Sequence, residues 1–286
     1  MTDQTAMPGN PAGRVLLLAD ASRPSLAALE AAVDLAVRRR AELHAVFVEE
    51  TALLRGAGFA FAREVGALSG TTRPIEASAV EARLRRQAER VRLALEEAVA
   101  GRGVSHSLSV RRGDVLREVL TLAGPHDLLV LGRIGWSAIP GRGLGSTARA
   151  LLRRAPGSLL LWAANPRHLE GSVVAWVDNA EAATDTLAEA AATARHRRRP
   201  LTVLLPSPDG GDPPAARDRA VADWLARTGA DAAVRKLPAL DSTAVARALR
   251  AERCAELLIS RRSRLMSGPA AEATLDTLNL PVTVLP

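Results

Sequence analysis

The sequence predicts an α/β chain of two tandem doubly wound domains, each a five-stranded parallel sheet with helices on both faces. Three observations carry this. Short apolar runs alternate with amphipathic stretches of helical period, as in repeated βαβ units. Several of the runs are apolar throughout, as strands covered on both faces are. The later part of the 286 residues then repeats the order of the earlier part.

After a loose start rich in Gly and Pro (Met1 to Gly13), the run Val15 to Ala19 ends at Asp20. It is too short for a buried helix and too continuous for a half-exposed strand, so it reads as a central parallel strand. A helix follows. Ser22 or Ser25 can cap it, Pro24 suits its first turn, and Leu26, Leu29, Val33 and Val37 recur at helical spacing. The Arg38 to Arg40 cluster favours its negative C-terminal end. Leu43 to Val48 is strand two. From Glu49 to Ala77, glycines and Pro74 interrupt the apolar residues Leu53, Leu54, Phe59, Phe61, Val65 and Leu68, which predicts short helices lying on the domain or on a partner protein.

Val80, Leu84, Val91, Leu95 and Val99 mark a long amphipathic helix that stops at Gly101 and Gly103. Val104 to Val110 alternates like an edge strand. Next come a helix from Asp114 to Ala123, an apolar strand from Asp127 to Leu131, a glycine-rich loop, a helix from Ser146 to Arg154 and a strand from Ser158 to Trp162.

The repeat is legible at three anchors. Val173 to Ala180 matches Val15 to Ser22 at an offset of 158 residues, Ala255 to Ser260 matches His126 to Leu131 at 129, and Pro281 matches Pro156 at 125. The first loss of length corresponds to the Glu49 to Ala77 stretch, the second to part of the glycine loop. A domain boundary is therefore expected between Ala163 and Gly171, giving domains at 14–163 and 172–286.

Composition excludes several classes. With 48% hydrophobic and 24% charged residues the chain is not disordered. No apolar run approaches 18 residues and no leader pattern opens the chain, so a soluble, cytoplasmic protein without membrane contact is expected. The net charge of +7 rests on 38 basic residues of which only Lys236 is lysine, a skew that fits a GC-rich coding background. The arginines scatter over helices among glutamates, the pattern of solvated faces, and three Phe, four Trp and no Tyr give few surfaces for stacking bases. No nucleic-acid partner is expected. The lone Cys254 excludes a disulfide framework and reads as a small buried hydrophobe, and the five histidines show no metal-ligand spacing.

The chemistry points to the glycine loop. Gly132, Gly135, Gly141, Gly143 and Gly145 follow strand four, and Gly145, Ser146 and Thr147 sit where a helix starts. Such a loop lets backbone approach a ligand, and the free amides of the helix start attract an anion. Ligands of open parallel sheets bind beyond the carboxyl ends of the strands, where Asp20 also lies and can accept hydrogen bonds from a ribose or adenine. The loop is no P-loop, lacking a lysine after its glycines, and no dinucleotide fingerprint, since it follows the fourth strand instead of the first.

The spacing Gly132, two residues, Gly135, nine residues, Gly145, Ser146 resembles the ATP-binding signature of the universal stress protein family, and Asp20 resembles that family's strand-one aspartate. Ala21 stands where a glycine is common. The resemblance covers the chain as a tandem of two such domains and implies the strand order 3-2-1-4-5 in each. It implies ATP, with or without Mg, as cofactor: Gly132 and Gly135 bordering ribose and phosphates, Gly145, Ser146 and Thr147 at the triphosphate, Ala19 and Asp20 by the nucleoside, and the backbone of Phe47 and Leu131 at the adenine. It also implies an intramolecular pseudo-dimer through the last strands, Ser158 to Trp162 and Val282 to Leu285, and leaves a homodimer of whole chains open.

The second copy departs from the pattern. Arg261 and Arg264 stand at the places of Gly132 and Gly135, and the loop is shorter by about four residues. A side chain there would crowd a backbone held against phosphate, so copy two is expected to bind no ATP and to serve as a structural partner, with Asp178 reduced to a capping or turn residue. The alternative is an arginine-built anion site of Arg261, Arg262 and Arg264. Trp136, Ile139 and Pro140 either fold over the nucleotide or meet another subunit. No nucleophile with an adjacent base is visible, so the chain reads as a nucleotide-binding stress-response regulator rather than an enzyme. Any ATP hydrolysis is expected to be slow, with the Gly132 to Thr147 loop and the Glu49 to Ala77 segment ordered by the nucleotide as a switch. The rival reading is an interaction or scaffold module that keeps the fold without a nucleotide.

Overall fold

The computed structural model describes residues 13–57, 59, 63–65, 70–133, 143–163, 171–207, 214–237, 242–267, 274–276 and 278–286. The apolar runs become strands and the 3.6-period stretches become helices, in the order β1 (Val15–Ala19), α1 (Arg23–Arg39), β2 (Leu43–Glu50), α2 (Thr51–Ala57), β3 (Arg63–Val65), β4 (Thr72–Pro74), α3 (Ala77–Val99), β5 (His106–Gly113), α4 (Val115–Leu122), β6 (Leu128–Gly132), α5 (Ser146–Arg154) and β7 (Ser158–Trp162). The second half runs β8 (Val173–Trp176), α6 (Ala183–Arg197), β9 (Leu201–Pro206), α7 (Pro214–Thr228), β10 (Ala232–Leu237), α8 (Ser242–Ala251), β11 (Glu256–Ser260), a 3₁₀ turn at Arg264–Met266 and β12 (Val282–Leu285).

Ten of these strands form one sheet in the order β10-β9-β8-β11-β12-β7-β6-β1-β2-β5. Within each half the pairing is parallel and the order is 3-2-1-4-5, as expected. The halves meet where β12 and β7 pair antiparallel, Val282 opposite Leu161, Thr283 opposite Leu160 and Val284 opposite Leu159. Successive residues of a strand face opposite sides, so the apolar runs feed two cores. On one side Leu16, Val46, Leu129 and Leu161 join Val282, Val284, Leu257 and Trp176 in a single cluster that crosses the seam. On the other side each half keeps its own cluster, one around Val15, Leu17, Phe47 and Val130, the other around Val173, Ala175, Val203 and Leu258.

Between those two separate cores the seam is charged. Arg38 of α1 donates to Thr193 at 2.8 Å and to Glu189 of α6, and Arg39 reaches Glu189 at 2.9 Å. Arg38 and Arg39 thus face the second half instead of lying on a solvated helix face, while Arg40 is exposed. The Arg38 side chain is largely covered, and burial lowers its pKa against the pull of Glu189. Arg197 of α6 pairs with the buried Glu256 at 2.7 Å and lies over the Trp162 ring.

The Glu49 to Ala77 stretch also differs from expectation. It contributes one short helix, α2, and a two-stranded antiparallel hairpin, β3 with β4, rather than helices alone; residues 58, 60–62 and 66–69 lie outside the described residues. β5 starts two residues later than its alternation suggested and continues past Val110 to Gly113, pairing along the whole of β2. Cys254 is buried as expected, and burial pushes its thiol pKa far above the usual range.

Candidate functional site

The strand order reverses between β1 and β6, whose chains run side by side with Leu18 opposite Leu131. Their carboxyl ends open a crevice, the place where open parallel sheets hold ligands. A cavity of about 250 Å³ lies there, near the lower end of the range for small-molecule sites.

Eight of the nine residues named from the sequence line this cavity: Ala19, Asp20, Phe47, Leu131, Gly132, Gly145, Ser146 and Thr147. The ninth, Gly135, lies outside the described residues, as do Trp136, Ile139, Pro140 and Gly141. The structure adds lining residues that the reading missed. Glu50 and Leu53 come from the end of β2 and from α2, Leu84 and Gln87 from α3, Val115 from α4, and Arg133 follows β6. Gln87 had a signal: it is a buried amide within the otherwise apolar face of Val80, Leu84, Val91 and Leu95.

Asp20 ends β1 and shapes the entry to α1. Its Oδ1 accepts the Ser22 N–H at 2.9 Å, its own N–H donates to Ser25 Oγ at 3.1 Å, and the Ser22 hydroxyl caps the helix by accepting from the Ser25 N–H. Ala21, between these residues, takes the left-handed conformation with φ 60°, which explains why a glycine suits this place.

Gly132 has a structural reason besides the one expected. A Cβ there would come within 3.1 Å of Pro24 and 3.2 Å of its carbonyl oxygen, so the glycine lets β6 end against the start of α1. It still lines the cavity. The crowding that a side chain would cause falls on the protein's own helix.

Another part of the cavity wall is built by the start of α5. Gly145 takes the extended N-cap position without a side-chain cap, its N–H donates to the Arg133 carbonyl at 3.0 Å, and its carbonyl accepts from Arg149 N. The N–H groups that follow, in the first turn, have no intrahelical acceptor and carry the positive end of the helix dipole, the ordinary recipe for an anion site. Arg133 is 5% exposed; its N–H donates to the Trp162 carbonyl and its guanidinium to the Leu275 carbonyl. Burial lowers its pKa to about 10, opposed by Asp276, so it stays cationic at neutral pH.

At the equivalent place in the second half, Asp178 and the arginines have partners within the protein. Asp178 accepts the Ser263 hydroxyl at 2.6 Å and the Arg264 N–H at 2.8 Å. Arg261, at the place of Gly132, donates to the carbonyls of Ala155 and Gly157 in the first half at 2.7 and 2.9 Å. Arg262 pairs with Glu181. Of the three arginines in the alternative anion site, Arg261 is engaged with carbonyls of the first half, Arg262 makes an exposed pair with Glu181, and Arg264 gives its backbone N–H to Asp178. Asp178 itself has the turn-capping role expected of it.

Among the described residues no group of three or more His, Cys, Asp or Glu side chains could hold a metal ion, and no helix is long and apolar enough to cross a membrane. Residues 12–162, just over half of the chain, match the Universal stress protein family. No curated protein matches by sequence. Among solved structures, a universal stress protein from Archaeoglobus fulgidus is similar at 15% identity with a TM-score of 0.70, over 96% of this chain and 99% of that one. A putative universal stress protein from Pseudomonas aeruginosa is similar at 19% identity and a TM-score of 0.61, over 96% and 93%. A functionally unknown protein from Pseudomonas aeruginosa PAO1 gives 18% and 0.61, over 96% and 92%. At such identities the likeness is one of fold.

Proposed function

The chain belongs to the universal stress protein family, and from that premise we propose that its first half binds one adenine nucleotide, ATP with or without Mg, while the second half binds none. The observation that carries the reading is the convergence, in one cavity at the switch point, of a carboxylate, an apolar wall and an uncapped helix start: Asp20, Phe47 with Leu131, and Gly145 to Thr147. These suit the three parts of a nucleotide in turn. Asp20 can accept from hydroxyls of a ribose, the apolar wall can take a flat base, and the α5 start can face phosphates. We read residues 14–163 and 172–286 as tandem units, the first working and the second supporting. The lining side chains hold and orient, so the proposal is of a cytoplasmic regulator of stress responses in which nucleotide occupancy is the signal, with slow hydrolysis at most.

The test is to denature the purified protein, identify released nucleotide, and titrate the emptied protein with ATP, repeating both with Gly135→Arg, which imitates the second copy. Adenine nucleotide from the wild type and none from the variant is the expected result. Neither release nor binding by the wild type overturns the reading and favours an interaction module.

A further inference from the structure

The anion-facing end of the cavity is built by α5, a first-half helix, yet the second half holds α5 at both ends. At its start, Asp276 Oδ1 accepts the Leu144 N–H at 2.7 Å, and Asp276 Oδ2 takes the Arg149 guanidinium at 2.5 Å while Arg149 Nε donates to the Leu144 carbonyl. The carboxylate stands so close to Gly143, which has φ 39°, that a Cβ there would overlap it. One residue back, the Leu275 carbonyl accepts from the Arg133 guanidinium on the far side of the glycine loop. At its finish, Arg261 donates to Ala155, the C-cap residue, and to Gly157.

The signs of these contacts match the helix. A carboxylate is favourable at the positive N-terminal end and a guanidinium at the negative C-terminal end. Bonds made by charged partners hold geometry more tightly than neutral ones. Within the first half the start of α5 has the bonds from Arg149 Nε to the Leu144 carbonyl and from the Gly145 N–H to the Arg133 carbonyl, but Gly145 offers no side-chain cap, and the carboxylate there comes from the second half. By contrast the nucleoside end, at Asp20 and Phe47, is held by bonds within the first half.

We propose that the second half, through Asp276 at one end of α5 and Arg261 at the other, is the positioning element of the phosphate end of the nucleotide site. Asp276 and Arg261 are positioning residues: they act on the ligand through α5 and its loop. The inference rests on the nucleotide reading above and adds that affinity for the phosphates depends on the second half while affinity for the nucleoside does not. The second copy is then retained for a contact that the first copy cannot make for itself.

The experiment compares ATP and adenosine binding by calorimetry in the full chain, for the wild type, Asp276→Ala and Asp276→Asn. Asp276→Ala should weaken ATP about tenfold, the worth of one charge-assisted hydrogen bond, and leave adenosine unchanged. Asp276→Asn, which still offers an oxygen to the Leu144 N–H, should restore part of the ATP affinity. Equal or tighter ATP binding by Asp276→Ala, with normal binding by the wild type, overturns this inference alone. An equal loss of ATP and adenosine overturns it too, since that marks general damage. Absence of ATP binding by the wild type overturns the underlying nucleotide reading instead.

Discussion

Ser263 donates its hydroxyl to Asp178 at 2.6 Å, at the second-half counterpart of the position that Asp20 holds beside a cavity in the first. The Asp178 Oδ2 also takes the Arg264 N–H, so both donors compete there with any ribose hydroxyl. Calorimetric titration should therefore give one nucleotide per chain. Asp178→Asn should leave that binding within about twofold of the wild type and cost about 1 kcal/mol of stability, the ordinary net worth of a hydrogen bond. Two bound nucleotides per chain would contradict the assignment.

At the first-half site the matching change should behave in the opposite way. Asp20→Asn keeps an oxygen for the Ser22 N–H but removes the charge that a ribose hydroxyl would meet. ATP affinity should fall about tenfold, while the denaturant midpoint moves little. A large loss of stability with unchanged affinity would make Asp20 a turn residue only.

Three arginines, Arg40, Arg198 and Arg253, occupy glycine positions, and two of them stand at well-defined helix ends. Arg40 and Arg198 each follow a helix, α1 and α6, and take the left-handed conformation at φ 51° and 52°, with their N–H groups closing the last turn. A side chain in that conformation costs about 1–2 kcal/mol, and glycine's extra chain entropy gives back about 0.5–1 of the gain. Arg40→Gly and Arg198→Gly should each raise the unfolding free energy in urea by about 0.5–1 kcal/mol.

Asp127 gives a pH signature. It accepts the Arg14 N–H at 2.8 Å, the Arg14 guanidinium at 3.0 Å and the Gly124 N–H at 2.9 Å, fastening the entry to β1 beside β6. Burial alone would raise its pKa, but these donors outweigh burial and hold it below the usual carboxylate value. A depressed carboxylate pKa contributes stability that is complete above the unfolded value of about 3.9 and is lost as pH falls through the folded value. Asp127→Asn should cost about 1–3 kcal/mol at pH 7, and urea unfolding should show the gap to wild type narrowing below about pH 4. A gap that widens in acid would reverse the assignment.

The legible part of the molecule was the part dictated by local pattern. β1, β6 and β7 are apolar at nearly every position because both faces are covered, and their ends fell within a residue or so of expectation. β5 extends past its alternating run because backbone pairing with β2 continues where Arg111 and Arg112 turn to solvent, which no hydrophobic pattern marks. The candidate site was legible through glycine spacing, while the close approach of Pro24 to Gly132, a neighbour reached only through the fold, was not. Asp276 was invisible for the same reason: it stands 132 residues from the Leu144 amide it accepts, and nothing near it in sequence marks it as a contact.

The antiparallel joint between β7 and β12 consumes two strand edges that separate units would each expose. What remains open are the outer strands, β5 and β10, at the two ends of a ten-stranded sheet. Bare rows of backbone donors and acceptors invite another molecule to add a strand, and onward growth of that kind is aggregation. Both ends carry a pair of adjacent exposed cations, Arg111 with Arg112 on β5 and Arg235 with Lys236 on β10. Each is paired with a carboxylate, Arg111 with Glu118, Arg112 with Glu49, Arg235 with Glu252 and Lys236 with Asp218, so a strand added at either end would meet solvated ion pairs instead of an apolar surface.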